Sequence, residues 1–300
     1  MNRRTAIAAS AIAAASLLLG GCSATSFGAN HTTGVQVLAS FYPLQYVTQQ
    51  VGGHLVQVTS LTPPGAEPHD IELSPREVRA VSDADLVVYL SGFQSAVDAA
   101  ITARKPAHVV DAADVADLIP AQGTGVKNGT LDPHFWLDPQ RLARLAAPVA
   151  AALSTADPRH ASTYAANAAT LEANLGALDT QYRTGLTGCD RHVIVTSHSA
   201  FGYLAKRYGL TQIGISGLDP DADPSPARLR EIRAVVAADD VTTIFTERLI
   251  SAKVAQTLAS DLGVKVAVLD PVESLADPRS DYRGVMQTNL VRLRDALGCA

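Results

Sequence analysis

The sequence predicts an α/β protein of two similar lobes, each a parallel sheet flanked by helices, joined by a long connecting α-helix, with the ligand site in the cleft between the lobes. Three observations carry this reading. Short β-branched runs alternate with amphipathic stretches from residue 35 onward, and the same rhythm returns after residue 187. Continuous apolar strands separated by helices belong to parallel sheets covered on both faces. Between the two series lies a stretch with helical periodicity and no strand signal.

In the first lobe, residues 35–157, the strands are expected at Val35–Phe41, Val56–Thr62, Leu86–Ser91 and His108–Asp111, and the helices at Leu44–Val51, Pro75–Ala84 and Phe93–Lys105. Ser74 before Pro75 is a helix start with cap and first-turn proline in the favoured order. Pro139 to Leu153 reads as a further helix, broken or kinked at Pro148. Asp157-Pro158 then opens the connecting helix, residues 158–186. Its apolar stripe runs Tyr164, Ala168, Leu171, Leu175, Leu178, Tyr182, Leu186 in steps of three and four. A helix of that span is roughly 43 Å long at about 1.5 Å per residue. In the second lobe, residues 187–300, strands are expected at Val193–Ser197, Gln212–Ser216, Thr243–Thr246 and Lys265–Leu269, and helices at Phe201–Tyr208, Pro226–Ala238, Ser251–Leu262 and Asp281–Leu297.

The N-terminus stands outside this pattern. Arg3 and Arg4 precede an apolar stretch, Ala6 to Leu19, that is too short for a mature membrane helix. It ends in Leu19-Gly20-Gly21-Cys22, which resembles a bacterial lipobox. Residues 1–21 therefore read as a lipoprotein signal peptide, Cys22 as the lipid-bearing residue, and residues 22–34 as a flexible tether. Export leaves Cys189 and Cys299 as an even pair, for which a disulfide is expected. The whole chain is 47% hydrophobic and 18% charged, ordinary for a globular protein. A net charge of −5 with no Lys/Arg run gives no face for nucleic acid.

Chemistry concentrates at a few histidines. The segment "PPGAEPHDIELSP", residues 63–75, holds His69 among four prolines and a glycine. Such a loop restricts the backbone before any ligand arrives, so less ordering opposes binding. His134 lies in "DPHFWLDP", beside the only tryptophan, and His198 directly follows the strand Val193–Ser197. Asp270 ends another strand. Three of these four follow strands, where parallel sheets place ligand sites, and two come from each lobe. The other five histidines read as solvated or packed: His31, His54, His108, His160 and His192.

The chain resembles the substrate-binding lipoprotein of a bacterial ABC importer for zinc or manganese. The resemblance rests on "SFYPLQYVTQQVGG", "PPGAEPHDIELSP", "ADLVVYLSGF", "DPHFWLDP", "VTSHSAFGYLAKRYGL", "DPSPARLREI" and "VAVLDPVES". It implies four metal ligands at His69, His134, His198 and Asp270, a permease and its ATPase as partners, a lipid-anchored monomer on the outer face of the membrane, and no enzymatic activity. One departure is that residues 112–133 lack the histidines that many zinc members carry there.

His198 at the third position points to Zn2+ as the transported substrate. Three imidazoles and a carboxylate suit zinc, whereas Mn2+, the alternative, prefers oxygen-rich shells. A secreted zinc hydrolase is the rival from another class, with Glu247 as its candidate general base. A fourth protein ligand would close the position that a catalytic water needs. Ser197-His198-Ser199 lacks a glycine elbow around a nucleophile. A third reading, as a second role, is a surface adhesin, since lipoproteins of this type face outward.

Overall fold

The computed structural model describes residues 34–121, 129–275, 277 and 279–300; the expected signal peptide, Cys22 and nearly all of the tether lie outside the described residues. Two four-stranded parallel sheets form the scaffold. The first contains β1 (Val35–Ala39), β2 (Val56–Ser60), β3 (Leu86–Tyr89) and β4 (Val109–Asp111) in the order β2-β1-β3-β4. The second contains β5 (Val193–Thr196), β6 (Thr211–Gly214), β7 (Thr243–Thr246) and β8 (Lys265–Val268) in the equivalent order β6-β5-β7-β8. In both, the strand order reverses beside the first strand, so the loops leaving the carboxyl ends part there and leave room for a ligand.

The helices of the first lobe are α1 (Tyr42–Gly52), α2 (Pro75–Asp83), α3 (Ser95–Arg104) and the single turn α4 (Ala113–Ala116). Ser74 caps α2 as expected: its Oγ accepts from Glu77 N at 3.3 Å while its own N–H donates to the Glu77 carboxylate at 2.7 Å. The predicted helix at 139–153 is two, α5 (Pro139–Ala143) and α6 (Ala146–Ala156). The break lies at Arg144–Leu145 rather than at Pro148. Pro148 falls in the first turn of α6, where the missing N–H has no partner to lose.

A 3-10 turn at Pro158–His160 leads into α7 (Ala161–Gly185), 25 residues and about 37 Å long at about 1.5 Å per residue. Its buried face is the stripe read from the sequence, Tyr164 through Tyr182. The second lobe adds α8 (Gly202–Tyr208), α9 (Pro226–Ala238), α10 (Lys253–Leu262) and α11 (Tyr282–Leu297). One hydrophobic core runs unbroken from β1 and α1 through α5, α6 and α7 to Tyr203, Phe245 and Met286, and smaller cores cover the outer faces of the two sheets. The lobes therefore share packing along α7 rather than hanging from a loop. Cys189 and Cys299 form a disulfide that fastens the end of α11 to the segment entering β5. Among the described residues, no helix is long and apolar enough to cross a membrane.

Candidate metal centre

Each site residue sits in a loop or turn between regular elements. His69 lies in the loop between β2 and α2. Gln94 braces that loop, its Nε2 donating to Thr62 Oγ1 at 2.9 Å and to Pro68 O at 3.0 Å. Phe93 packs edge-on against the His69 ring at 4.8 Å between centroids. His134 precedes a 3-10 turn, Phe135–Leu137, whose three side chains are fully buried. His198 follows β5. His134 and His198 have no solvent exposure, and Glu273, in the turn after β8, has 2%.

One donor atom from each of His69, His134, His198 and Glu273 lies within 4.8 Å of all the others. The spacings are specific. Glu273 Oε1 is 3.5, 3.1 and 3.5 Å from the Nε2 atoms of His69, His134 and His198, and the last two Nε2 atoms are 3.4 Å apart. A tetrahedral ion with bonds of about 2.0–2.1 Å has donors about 3.3–3.4 Å apart along each edge. Four of the six edges are thus already near the length that zinc requires.

Behind the imidazoles stand two more carboxylates. Asp132 Oδ1 lies 2.8 Å from His134 Nδ1, and Glu247 Oε1 lies 2.7 Å from His198 Nδ1. Each carboxylate also accepts the backbone N–H of its histidine, at 3.0 and 3.3 Å. A carboxylate on Nδ1 favours a proton there and leaves the Nε2 lone pair facing the centre. Glu67 accepts the His69 N–H at 3.0 Å, and its other oxygen is buried without a hydrogen-bond partner.

Neighbouring carboxylates raise two of the imidazoles, His134 and His198. Burial alone would lower His198, but the Glu247 charge and hydrogen bond, with help from Glu273, outweigh it and push the ring up to about 10. His134 is raised in the same way, burial being overcome by Asp132 and Glu273. Glu273 is buried, which would raise it, yet hydrogen bonds from the three histidines hold its carboxyl well below the usual range.

Asp270, expected as the fourth ligand, is not in this cluster. Its Oδ1 accepts Val272 N–H at 2.9 Å and its Oδ2 lies 3.4 Å from Arg248 Nε. The chain then reverses at Val272, a buried β-branched residue with φ of 58°, and delivers Glu273 to the centre instead. That backbone conformation costs on the order of 1–3 kcal/mol in a side chain of this shape. The expectation of a ligand at the strand end picked Asp270; the carboxylate that lies within the histidine cluster comes instead from the turn three residues on. Glu247, weighed as a general base, stands behind His198 rather than facing the donors. Ser197 donates to Phe245 O at 3.2 Å.

The sequence profile of the family described as "ZnuA: Zinc-uptake complex component A periplasmic" matches residues 37–296. The high-affinity zinc uptake system protein ZnuA of Bacillus subtilis is 34% identical over 305 residues, covering 95% of this chain and 96% of that protein. The zinc-binding protein AdcA of Streptococcus pyogenes is 35% identical over 288 residues, which are 87% of this chain and 55% of AdcA, so the chain spans about half the length of the AdcA relatives. Among solved structures, the laminin-binding protein Lmb of Streptococcus agalactiae, described as having adhesin and metal-transporting activity, superposes with a TM-score of 0.79 at 34% identity, covering 88% of this chain and 99% of that one. The Zn(II)-bound ZnuA-like domain of Streptococcus pneumoniae AdcA superposes with a TM-score of 0.74 at 35% identity, covering 88% and 99%.

Proposed function

Because the chain belongs to the ZnuA family of zinc-uptake components, we propose that it captures Zn2+ outside the cytoplasm and delivers it to an ABC permease driven by its ATPase. The ligands in this reading are His69, His134, His198 and Glu273. The observation that carries it is the near-tetrahedral spacing of three imidazole nitrogens and one carboxylate oxygen. The donor set favours zinc over manganese, because nitrogen-rich shells follow the general affinity order in which Zn2+ stands above Mn2+.

The residues divide the work. Asp132 and Glu247 orient two rings before the ion arrives, and their negative charge offsets the ion's charge in a buried site. The ligands must shed protons to bind, so capture releases protons and an acidified site favours release. With all four positions taken by protein, the ion is carried without a bound water to activate. Cys22 carries the lipid in this reading and holds a monomer at the outer face of the membrane through residues 22–34.

Elemental analysis of protein purified without added metal, followed by Zn2+/Mn2+ competition, tests the cargo. One zinc per chain, retained against excess manganese, is expected; manganese displacing zinc at equal concentration would overturn the reading.

A further inference from the structure

The turn that presents Glu273 belongs to the second lobe, yet it is fastened from the first. Ser274 Oγ accepts the Gly65 N–H at 2.7 Å and faces Pro63 O at 3.5 Å. Trp136 Nε1 donates to Pro271 O at 2.7 Å. Both partners come from segments that also carry metal ligands: Gly65 precedes His69 in the same loop, and Trp136 follows His134. Gly65 has φ of 78°, in the left-handed region that suits glycine.

Within the turn, the left-handed Val272 is held by the Asp270 carboxylate on its N–H. Asn289, fully buried in α11, fixes Asp270 in turn, its side chain accepting the Asp270 N–H at 3.0 Å and donating to the Asp270 carbonyl at 2.6 Å. A strained backbone persists only where its surroundings over-determine it. Here the second lobe fixes the start of the turn, and the two ties from the first lobe fix Pro271 and Ser274, on either side of Glu273.

We propose that Ser274 is a positioning residue of the metal centre. Its tie to Gly65 couples the His69 loop to the Glu273 turn, so that Glu273 takes its ligating place only when the two lobes are shut on each other. The histidine-rich side and the carboxylate then assemble together, and loss of the tie during opening frees the carboxylate to leave the ion. This rests on Glu273 being a ligand.

The test is a double-mutant cycle on the full chain, titrating zinc against a fluorescent chelator. Glu273→Gln alone should weaken zinc binding. Ser274→Ala alone should weaken it about tenfold, as loss of a supporting contact does at metal sites, without changing the melting temperature of the zinc-free protein. In the Glu273→Gln background, Ser274→Ala should change affinity by less than about twofold, because the effect passes through Glu273. Trp136→Phe, which keeps a ring beside Phe41 and Phe93 but removes the donor to Pro271, gives a second cycle with the same expectation. Equal losses in both backgrounds, or no loss from Ser274→Ala in the wild-type background, would overturn the proposal. A Glu273→Gln protein that binds zinc like the wild type would overturn the ligand assignment instead.

Discussion

At His134 and His198 the carboxylates behind the rings, at 2.8 and 2.7 Å from Nδ1, leave Nε2 as the nitrogen that faces the proposed metal position. Glu247→Gln keeps the shape but removes the charge, and zinc affinity should fall about 10–100-fold with the fold intact. Chelator competition measures this; an unchanged affinity would mean that Glu247 does not orient His198. His198→Glu replaces a nitrogen with a hard oxygen and should raise the affinity for Mn2+ relative to Zn2+, read by the same competition with both metals. Three of the four clustered residues were legible in the sequence, because His69, His134 and His198 stand in distinctive segments at loop positions. Glu273 was not. It lies in the quoted segment "VAVLDPVES", but its place depends on the positive φ at Val272, and no local pattern marks a valine for that conformation.

At the scale of elements, α7 is held to its neighbours by an ionic knot in which two buried carboxylates meet an arginine that reaches solvent. Asp179 on α7 accepts from Arg207 Nε at 2.6 Å and from Tyr208 OH at 3.1 Å, while Arg207 also reaches Asp138 of the His134 segment at 3.1 Å. Burial would raise the Asp179 carboxyl, but the Arg207 hydrogen bond and charge hold it below its ordinary value. Its contribution is thus fully present above the usual carboxylate range and is lost as pH falls through the lowered folded-state value. Asp179→Asn should cost about 1.5 kcal/mol at neutral pH, since Arg207 reaches solvent, and flatten the acid side of the stability curve. Denaturant unfolding at several pH values would show it, and a loss that stays constant down to acid pH would contradict the linkage. The knot could not be read from the sequence, because it joins residues 138, 179, 207 and 208 that only the fold brings together. The stripe along α7 was legible throughout, since 3.6-residue periodicity is local. The disulfide, which closes a loop across 110 residues, should contribute about 4–5 kcal/mol in the chain-entropy model, measured as the difference in unfolding free energy with and without reductant.

For the whole molecule, the paired sheets and shared core make a cleft whose two walls each supply two donors. That architecture was legible because each lobe repeats one strand-and-helix rhythm; the ties across the cleft were not, since they depend on tertiary placement. Zinc binding at the proposed site should expel protons, because neighbouring carboxylates raise His134 and push His198 up to about 10. The sign follows directly: affinity should rise with pH through the range in which those rings titrate. At pH 7 the binding enthalpy should vary with the ionisation enthalpy of the buffer, with a slope of about one to two protons. The most direct measurement is zinc-edge anomalous diffraction from crystals of the zinc-loaded protein. A single ion bonded to Nε2 of His69, His134 and His198 and to a Glu273 carboxylate oxygen, each at about 2.0–2.2 Å, is the expected result. An ion ligated by Asp270, or one missing any of the three imidazoles, would contradict it.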